Sequence, residues 1–303
     1  MFETRAFLMA AAAVALGLPP ATVALAAATA AAKTTAASEP QVPKLTPAQI
    51  VEKHLAARGG AQAWKAVQTL QLSGTMEAGR GDAVERAQKM VNQSRAAGGK
   101  AKNAEVVAAN AAPDSGKQVE LPFKLELKRP NLTRLEIQFA GKTAVQVFDG
   151  QHGWKYRPFL NRTDAEPYTP DEVSEEASRG DLDGPLIGSA ATGAKVELEG
   201  SDLVDAQPAY RLKVTASHRA PTHIWIDAKT FLDVKVEGAP KRMDGKMHPV
   251  YTYQRDFRPV QGVVLPFALE TQVDGYPQTH KTLVEKATVN PTLDAAAFSK
   301  PHA

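Results

Sequence analysis

Residues 121–127 read Leu-Pro-Phe-Lys-Leu-Glu-Leu, so that every second side chain is large and apolar. A period of two places successive side chains on opposite faces of a β-strand, with the apolar face against a core. The same alternation returns at Leu135 and Ile137 and again at Val145 and Val147. This part of the chain therefore predicts a series of half-buried strands.

Alternating stretches continue toward the C-terminal end of the chain. They lie near residues 196–198, 210–214, 224–226, 232–236, 251–253, 265–269 and 282–289. About ten short strands without helices between them predict an antiparallel meander with one apolar face. We expect a mainly β (α+β) fold in which a strongly curved sheet wraps the few helices that the chain offers.

Two segments predict those helices. Residues 46–49 (Thr-Pro-Ala-Gln) combine an N-cap threonine, a proline at the first helical position and a glutamine three residues after the cap. This helix is expected to end at residues 58–60 (Arg-Gly-Gly), with a basic last turn and a left-handed cap. Residues 169–172 repeat the capping pattern, Gly180 can stop a helix of about ten residues, and the apolar piece 182–187 follows.

The beginning of the chain has the pattern of a secretory signal peptide over residues 1–26. A basic start with Arg5 precedes an apolar run, and the small-residue site at residues 24–26 follows it. A retained membrane anchor is the alternative, but Pro19 and Pro20 interrupt the apolar run before the roughly 20 residues that a spanning helix needs. We expect cleavage and a periplasmic protein.

The composition divides the rest of the chain into three parts. Residues 27–44 are mostly alanine, threonine and serine and predict a disordered leader. Residues 45–301 form the predicted domain, and residues 77–118 predict a low-complexity insertion within it. The chain has no cysteine, which removes both a disulfide framework and the acylated N-terminal cysteine of a bacterial lipoprotein. The cleaved product is therefore expected to be soluble.

The sequence predicts no catalytic residue, no metal site and no cofactor. The seven histidines lack the paired spacing of metal sites, and no nucleophile elbow, phosphate loop or dinucleotide fingerprint is present. In the predicted strand at residues 223–227, His223 and Trp225 share a face opposite two isoleucines. A hydrolase stays an alternative that requires a cleft with an acid-base pair. The formal charge of +3 is spread along the chain, which does not favour a nucleic-acid partner.

Five short segments carry a resemblance to a known family. They are the helix end at 56–60, the turn Lys128-Arg129-Pro130-Asn131, the hairpin at 149–159, the apolar piece at 181–186 and the closing stretch at 289–298. Across residues 45–301 the chain resembles the periplasmic outer-membrane lipoprotein-sorting proteins, which are similar to the soluble lipoprotein carrier of Gram-negative bacteria.

The resemblance implies an unclosed antiparallel half-barrel wrapped around an N-terminal helix and a helical lid, here residues 158–188. Its apolar concave face would accept acyl chains, and Arg129 matches an arginine that helps to hold the lid shut. We expect six further residues to line the ligand-binding wall: Phe123, Leu125, Leu135, Ile137, Trp154 and Tyr156.

These features predict a monomeric periplasmic carrier or binder of lipoproteins or other acylated cargo. Its expected partners are an acylated lipoprotein or a free lipid, with an inner-membrane donor complex and an outer-membrane acceptor. The alternative is a periplasmic sensor or assembly module of the same fold, which binds a protein partner and fills its interior with its own side chains.

Overall fold

Thirteen strands form one antiparallel sheet in the computed structural model, which describes residues 40–78, 118–158, 164–179, 182, 184–189, 193–216, 220–243 and 245–301. The strands are β1 (Thr69–Ala78), β2 (Val119–Lys128), β3 (Leu132–Phe139), β4 (Lys142–Phe148), β5 (Gly153–Tyr156), β6 (Glu166–Pro167), β7 (Lys195–Val204), β8 (Gln207–Thr215), β9 (Thr222–Asp227), β10 (Asp233–Met243), β11 (Lys246–Val260), β12 (Val263–Val273) and β13 (Thr279–Val289). The helices are α1 (Pro47–Ala57), α2 (Ala61–Ala66), α3 (Pro170–Arg179) and α4 (Gly184–Ile187), and a 3-10 helix spans Ala295–Phe298.

The order of strands across the sheet is β6-β5-β4-β3-β2-β1-β13-β12-β11-β10-β9-β8-β7. The first and last strands of the chain therefore lie side by side in the middle of the sheet. The edges are β6 and β7, which do not pair with each other, so the sheet stays open. The predicted antiparallel meander and the unclosed half-barrel are both confirmed.

The connection between β6 and β7 joins the two edges of the sheet and carries α3 and α4. It passes over the face that bears most of the apolar side chains, because Leu182 and Leu186 are buried there. We call this face the inner face. Leu72, Leu125 and Leu135 share it, since residues that pair directly across antiparallel strands point the same way.

Two apolar clusters cover the inner face, and their burial is the main term that favours folding. Cluster 1 consists of Trp64, Val67, Leu70, Leu72, Met76, Phe123, Leu125, Leu135, Ile137, Ala144, Leu182, Val263, Leu265, Phe267, Leu269, Val284 and Val289. Cluster 2 consists of Ile50, Leu186, Tyr210, Leu212, Val214, Ile224, Ile226 and Val236. The helix α2 packs on the first cluster through Trp64, and α1 packs on the second through Ile50.

The helix α1 begins and ends where the sequence predicts. The Gln49 backbone N–H donates to the Thr46 hydroxyl, and the Thr46 N–H donates to the Gln49 side chain at 2.9 Å, which completes the capping box. Gly59 and Gly60 have φ angles of 101° and 90° at the other end. A side chain at Gly59 would meet the Gly262 carbonyl oxygen at 2.2 Å, so the close approach of the β11–β12 turn also requires glycine here.

The folded unit begins earlier than predicted. The Ser201 hydroxyl donates to the Pro40 carbonyl at 2.7 Å, and the Tyr210 hydroxyl donates to the Pro43 carbonyl at 2.8 Å. Val42 packs on cluster 2. Residues 40–44, assigned above to the disordered leader, therefore belong to the folded domain, because both hydrogen bonds and apolar contact hold them. Residues 1–39, including the predicted signal peptide, lie outside the described residues.

The predicted insertion at residues 77–118 is bounded by paired strands. Ala78, the last residue of β1, pairs with Val119, the first residue of β2. The Gln118 side chain donates to the Thr279 carbonyl at 2.5 Å, which ties it to β13. Residues 77 and 78 therefore belong to β1, residue 118 is tied to the sheet by its side chain, and residues 79–117 lie outside the described residues.

Arg58, the residue that caps α1, is buried. Its side chain is 2% exposed, its Nη1 donates to the Asp233 carboxylate at 2.5 Å, and its Nε donates to the Val264 carbonyl at 2.9 Å. The Trp64 indole N–H donates to the Arg58 carbonyl at 2.8 Å. One arginine thus ties α1 and α2 to β10 and β12, a role that a basic last turn on its own does not predict.

We expect Asp233→Ala to lower the free energy of unfolding by about 3–5 kcal/mol, because the Arg58 charge would remain buried without its partner. Urea unfolding followed by circular dichroism measures this change. The double variant Arg58→Met with Asp233→Leu removes both charges and is expected to recover most of the loss. Asp256→Ala, which breaks the solvent-exposed pair with Arg258, is the control. A loss in Asp233→Ala no larger than in this control would contradict the assignment.

Candidate ligand-binding site

Four of the predicted wall residues lie together on the inner face. Phe123 pairs with Ile137, and Leu125 pairs with Leu135, across strands β2 and β3. Each of the four is at most 6% exposed, and all belong to cluster 1. The strand alternation and the register together make this a continuous apolar surface, and its role in ligand binding stays a prediction.

Trp154 and Tyr156 lie on the opposite, outer face of the sheet. They pair with Val147 and Val145, and all four side chains pack with Phe298 from the C-terminal segment. The expectation that these two aromatic residues share a wall with the other four is therefore corrected. Alternation alone does not reveal this, because the C-terminal segment covers the outer face here and both faces of β4 are buried.

Arg129 holds the C-terminal end of α2. Its Nε donates to the Val67 carbonyl at 2.7 Å, and its Nη2 donates to the Trp64 carbonyl at 3.1 Å. The last carbonyls of a helix lack donors within the helix, and a guanidinium can supply two of them at once. The resemblance implies contacts with the lid, whereas these hydrogen bonds reach α2, which covers cluster 1.

The predicted lid lies over the inner face where its residues are described. The helix α3 begins with the predicted capping box, in which the Thr169 N–H donates to the Glu172 carboxylate at 2.8 Å. The helix α4 has only four residues, and so short a helix is not stable without packing. Leu182 enters cluster 1, Leu186 enters cluster 2 and the partly buried Ile187 packs on cluster 1, so these side chains hold the segment on the inner face. Residues 159–163, 180, 181 and 183 lie outside the described residues.

An ion pair ties the start of α3 to β5. The Lys155 Nζ lies 2.6 Å and 2.8 Å from the two carboxylate oxygens of Glu172, and the two side chains are 13% and 18% exposed. Burial raises the pKa of Glu172, but the hydrogen bonds from Lys155 and Thr169 lower the pKa by a larger amount. The net effect is a pKa below the usual value of a glutamate. The carboxylate therefore stays charged and the contact persists above that lowered pKa.

Four buried polar side chains on strands β11–β13, which we call the polar seam, lie on the inner face where cluster 1 ends and cluster 2 begins. It consists of Thr252, Gln254, Thr271 and Thr282, each at most 7% exposed. Tyr251 and Tyr253, which form the apolar alternation of β11 in the sequence, lie on the strand face opposite Thr252 and Gln254. Those rings lie on the outer face, and the polar residues face inward.

The outer aromatic residues surround a lysine. The Lys235 Nζ lies 3.9 Å, 4.3 Å and 5.4 Å from the ring centres of Tyr251, Trp225 and Tyr253. Burial among these rings lowers the pKa of Lys235, although nearby carboxylates raise it in part. The ammonium thus stabilises this outer cluster through cation–π contacts, which explains how three aromatic side chains remain on the outer face.

A cleft of about 270 Å³ lies beside that lysine on the outer face. Arg255 lines it and donates to Asp205 at 2.8 Å and 3.1 Å and to Glu270 at 2.8 Å. The arginine and both carboxylates are therefore paired with one another, and the cleft is separate from the apolar inner face.

The described histidines have structural partners. His223 contacts the Glu237 carboxylate and lies 3.1 Å from Glu199, on the outer face of β9, and it is opposite the two isoleucines as predicted. Burial lowers the pKa of His54, so its ring is neutral and its Nδ1 donates to the Phe231 carbonyl at 3.0 Å.

Among the described residues, no group of three or more acidic or histidine side chains is placed to hold a metal ion. No described helix is long and apolar enough to span a membrane.

Comparison with known proteins gives matches among solved structures only. No family model matches the chain, and a search of curated proteins found no match. A LolA superfamily protein from Nitrosomonas europaea is 12% identical with a TM-score of 0.50, over 85% of this chain and 99% of that chain. A DUF1329 family protein from Desulfovibrio piger is 11% identical with a TM-score of 0.49, over 84% of this chain and 98% of that chain. An outer membrane lipoprotein-sorting protein domain from Vibrio parahaemolyticus is 9% identical with a TM-score of 0.46, over 82% and 94% of the two chains.

The Nitrosomonas europaea protein matches this chain along almost the whole of its own length, but few residues are identical. The likeness is therefore one of architecture. The open sheet, the strand order and the helices on the inner face are the features that define that architecture here. The chain therefore shares its fold, an unclosed antiparallel half-barrel, with this LolA superfamily protein.

Proposed function

We propose that the chain is a periplasmic carrier or binder of lipoproteins or other acylated lipids, and that it shelters acyl chains on the inner face during transfer toward the outer membrane. The observation that carries this proposal is the apolar inner face of an open sheet, covered in part by a helix of only four residues. The resemblance of the sequence to lipoprotein-sorting proteins supports acylated cargo as the ligand.

An acyl chain would compete well with the lid for the inner face. Burial of Leu182 and Leu186 contributes roughly 3–6 kcal/mol in total, at 1.5–3 kcal/mol for each leucine. An acyl chain that buries about ten methylene groups contributes roughly 8 kcal/mol. The ligand therefore offsets the displacement of α4, while the hydrogen-bonded strands stay in place.

Arg129 has a positioning role in this proposal. It keeps α2 and the buried Trp64 over cluster 1, so the inner face is uncovered where α4 moves away rather than along its whole length. Cargo exchange with an inner-membrane donor and an outer-membrane acceptor then requires movement of the lid alone. Of the six expected wall residues, the four on the inner face remain candidates for the ligand-binding wall.

The protein purified from its own periplasm is expected to carry lipid or acylated peptide. Native mass spectrometry combined with organic extraction tests this directly, and uptake of a fluorescent fatty acid by the emptied protein tests it a second time. A clean protein that also fails to take up the fatty acid would contradict the proposal and favour a module that binds a protein partner.

We expect Ala144→Phe to reduce fatty-acid uptake about tenfold or more. Ala144 pairs with Ile137 on the inner face, and overfilling a packed site costs about 1–3 kcal/mol. Thr143→Phe adds the same ring one residue earlier, where alternation directs it to the outer face, and is the matched control. Circular dichroism confirms that both variants fold. Equal uptake by the two variants would place the ligand elsewhere.

Glu172→Gln is expected to speed the uptake of an uncharged fluorescent acyl ester about two- to fivefold at neutral pH, because the lid loses its ion pair with Lys155. Since the pKa of Glu172 is lowered in the folded protein, its stabilising effect is present above the ordinary value of 4.5 and is lost as pH falls through the folded pKa. The wild type should therefore take up the ester faster below about pH 4.5, and the variant should lack that rise.

Glu197→Gln is the control for this experiment, because it removes an exposed carboxylate that pairs with Lys195 on the edge strand β7. Its uptake rate should match that of the wild type at every pH. If Glu172→Gln behaves in the same way as this control, the ion pair does not hold the lid.

A further inference from the structure

Two buried polar atoms on the inner face lack a partner among the described residues. Gln254 and Thr282 are each 1% exposed, and neither the Gln254 Oε1 nor the Thr282 Oγ1 makes a hydrogen bond there. A buried acceptor without a donor is unfavourable, and most buried polar groups in folded proteins are satisfied. These two atoms therefore mark a place where another molecule can supply the missing bonds.

The two atoms belong to the polar seam and lie in one row across the sheet. Leu269 pairs with Gln254 on one side and with Thr282 on the other, so the three side chains point to the same face. In the neighbouring row, Thr252 and Thr271 are partners, with their hydroxyl oxygens 3.2 Å apart. The hydroxyl groups of the Thr252 and Thr271 row are thus hydrogen-bonded to each other. The row with Gln254 and Thr282 has polar atoms that can still bind a ligand.

The chemistry of the missing partner follows from the orientation of Gln254. Its Nε2 donates to one Asp233 oxygen at 3.4 Å, and the other Asp233 oxygen accepts from Arg58. Turning the amide over would bring its oxygen against the carboxylate, which is repulsive, so Oε1 must be the atom that faces away. The partner of Gln254 must therefore be a donor, and an ester or ether oxygen does not qualify.

The surroundings of the seam limit the ligand further. Cluster 1 extends from β4–β1 across β13 and β12, and the strand residues of cluster 2 lie on β8–β10, so Gln254 on β11 lies between the two clusters. A donor held in the seam would therefore have apolar surface in both directions. A polar head group at the end of an acyl chain fits this arrangement less well than a donor within the chain. With the donor at the end, hydrocarbon of the ligand would contact only one of the two clusters.

We propose that the polar seam recognises an amide N–H or a hydroxyl carried within an acyl ligand, with hydrocarbon on both sides of it. The donor binds the Gln254 Oε1, and the Thr282 hydroxyl, two strands away in the same row, offers a second polar contact to the ligand as donor or acceptor. This inference rests on the proposed function and adds the class of ligand that the inner face selects.

Two matched pairs of competitors test the inference against the fluorescent fatty acid. N-octyldecanamide and octyl decanoate differ only in an amide or an ester link between the same alkyl chains. A hydroxystearate methyl ester with its hydroxyl at mid-chain and methyl stearate differ only in the hydroxyl. We expect the wild type to bind the donor-bearing member of at least one pair about tenfold more tightly, which is the effect of one buried hydrogen bond. A preference in the first pair identifies an amide as the group that the seam recognises, and a preference in the second pair identifies a hydroxyl.

The variants Gln254→Met and Thr282→Val replace the two side chains with apolar ones of similar size. Each is expected to bring the two members of the preferred pair within about twofold of each other, while affinity for the ester or plain chain is kept. Gln272→Met is the control, because Gln272 lies on the outer face, where its amide donates to the Tyr276 carbonyl at 3.2 Å. This control should keep the full preference.

The possible failures separate the two proposals. A wild type that takes up the fluorescent fatty acid but shows no preference in either pair overturns the role of the seam and leaves the carrier proposal standing. A preference that survives in both Gln254→Met and Thr282→Val also overturns it. A wild type that takes up no fatty acid overturns both proposals together.

Discussion

The ion pair between Arg58 and Asp233 organises the interior of the half-barrel. It joins the end of α1 to β10, while the same arginine donates to the Val264 carbonyl and accepts from the Trp64 indole through its own carbonyl. Removing two charges from water is unfavourable unless their remaining hydrogen-bonding groups are met, and the amide of Gln254 meets the second Asp233 oxygen. The placement of both N-terminal helices and the orientation of the polar seam therefore depend on one contact.

The covering elements of the inner face differ in how firmly they are held. The helices α1 and α2 are fixed by buried hydrogen bonds from Arg58 and Arg129 and by the buried side chains Ile50 and Trp64. The segment with α3 and α4 is held by Leu182, Leu186 and the partly buried Ile187 and by the half-buried ion pair between Lys155 and Glu172. Elements that move in binding are drawn from the less stable parts of a fold, and this difference identifies which cover can open without loss of the sheet.

Local sequence signals, such as helix caps and strand alternation, predict the helices and strands well. They fail where an element far along the chain decides whether a side chain is buried. The capping boxes at Thr46 and Thr169 act through neighbouring residues, so both helix starts follow from the sequence. Trp154 was misplaced because Phe298, far along the chain, covers the outer face of β5. The burial of Arg58 depends on Asp233, and an arginine before two glycines looks the same in an exposed helix end. Gln254 was missed because the tyrosines beside it carry the stronger apolar pattern, although the strand register places those rings on the outer face, where Lys235 packs against them.

The pairing of β1 with β13 sets the order in which the sheet can be completed. The hydrogen bond from the Thr69 N–H to the Asn290 side chain joins residues 221 positions apart, so the middle of the sheet forms only after the end of the chain has been made. Until then β1–β6 and β7–β13 are two separate meanders, and each presents an open strand to its surroundings. The same topology means that a cut between β6 and β7 separates no paired strands. The molecule is in this sense two half-sheets in one polypeptide, joined by the backbone hydrogen bonds between β1 and β13 at its centre.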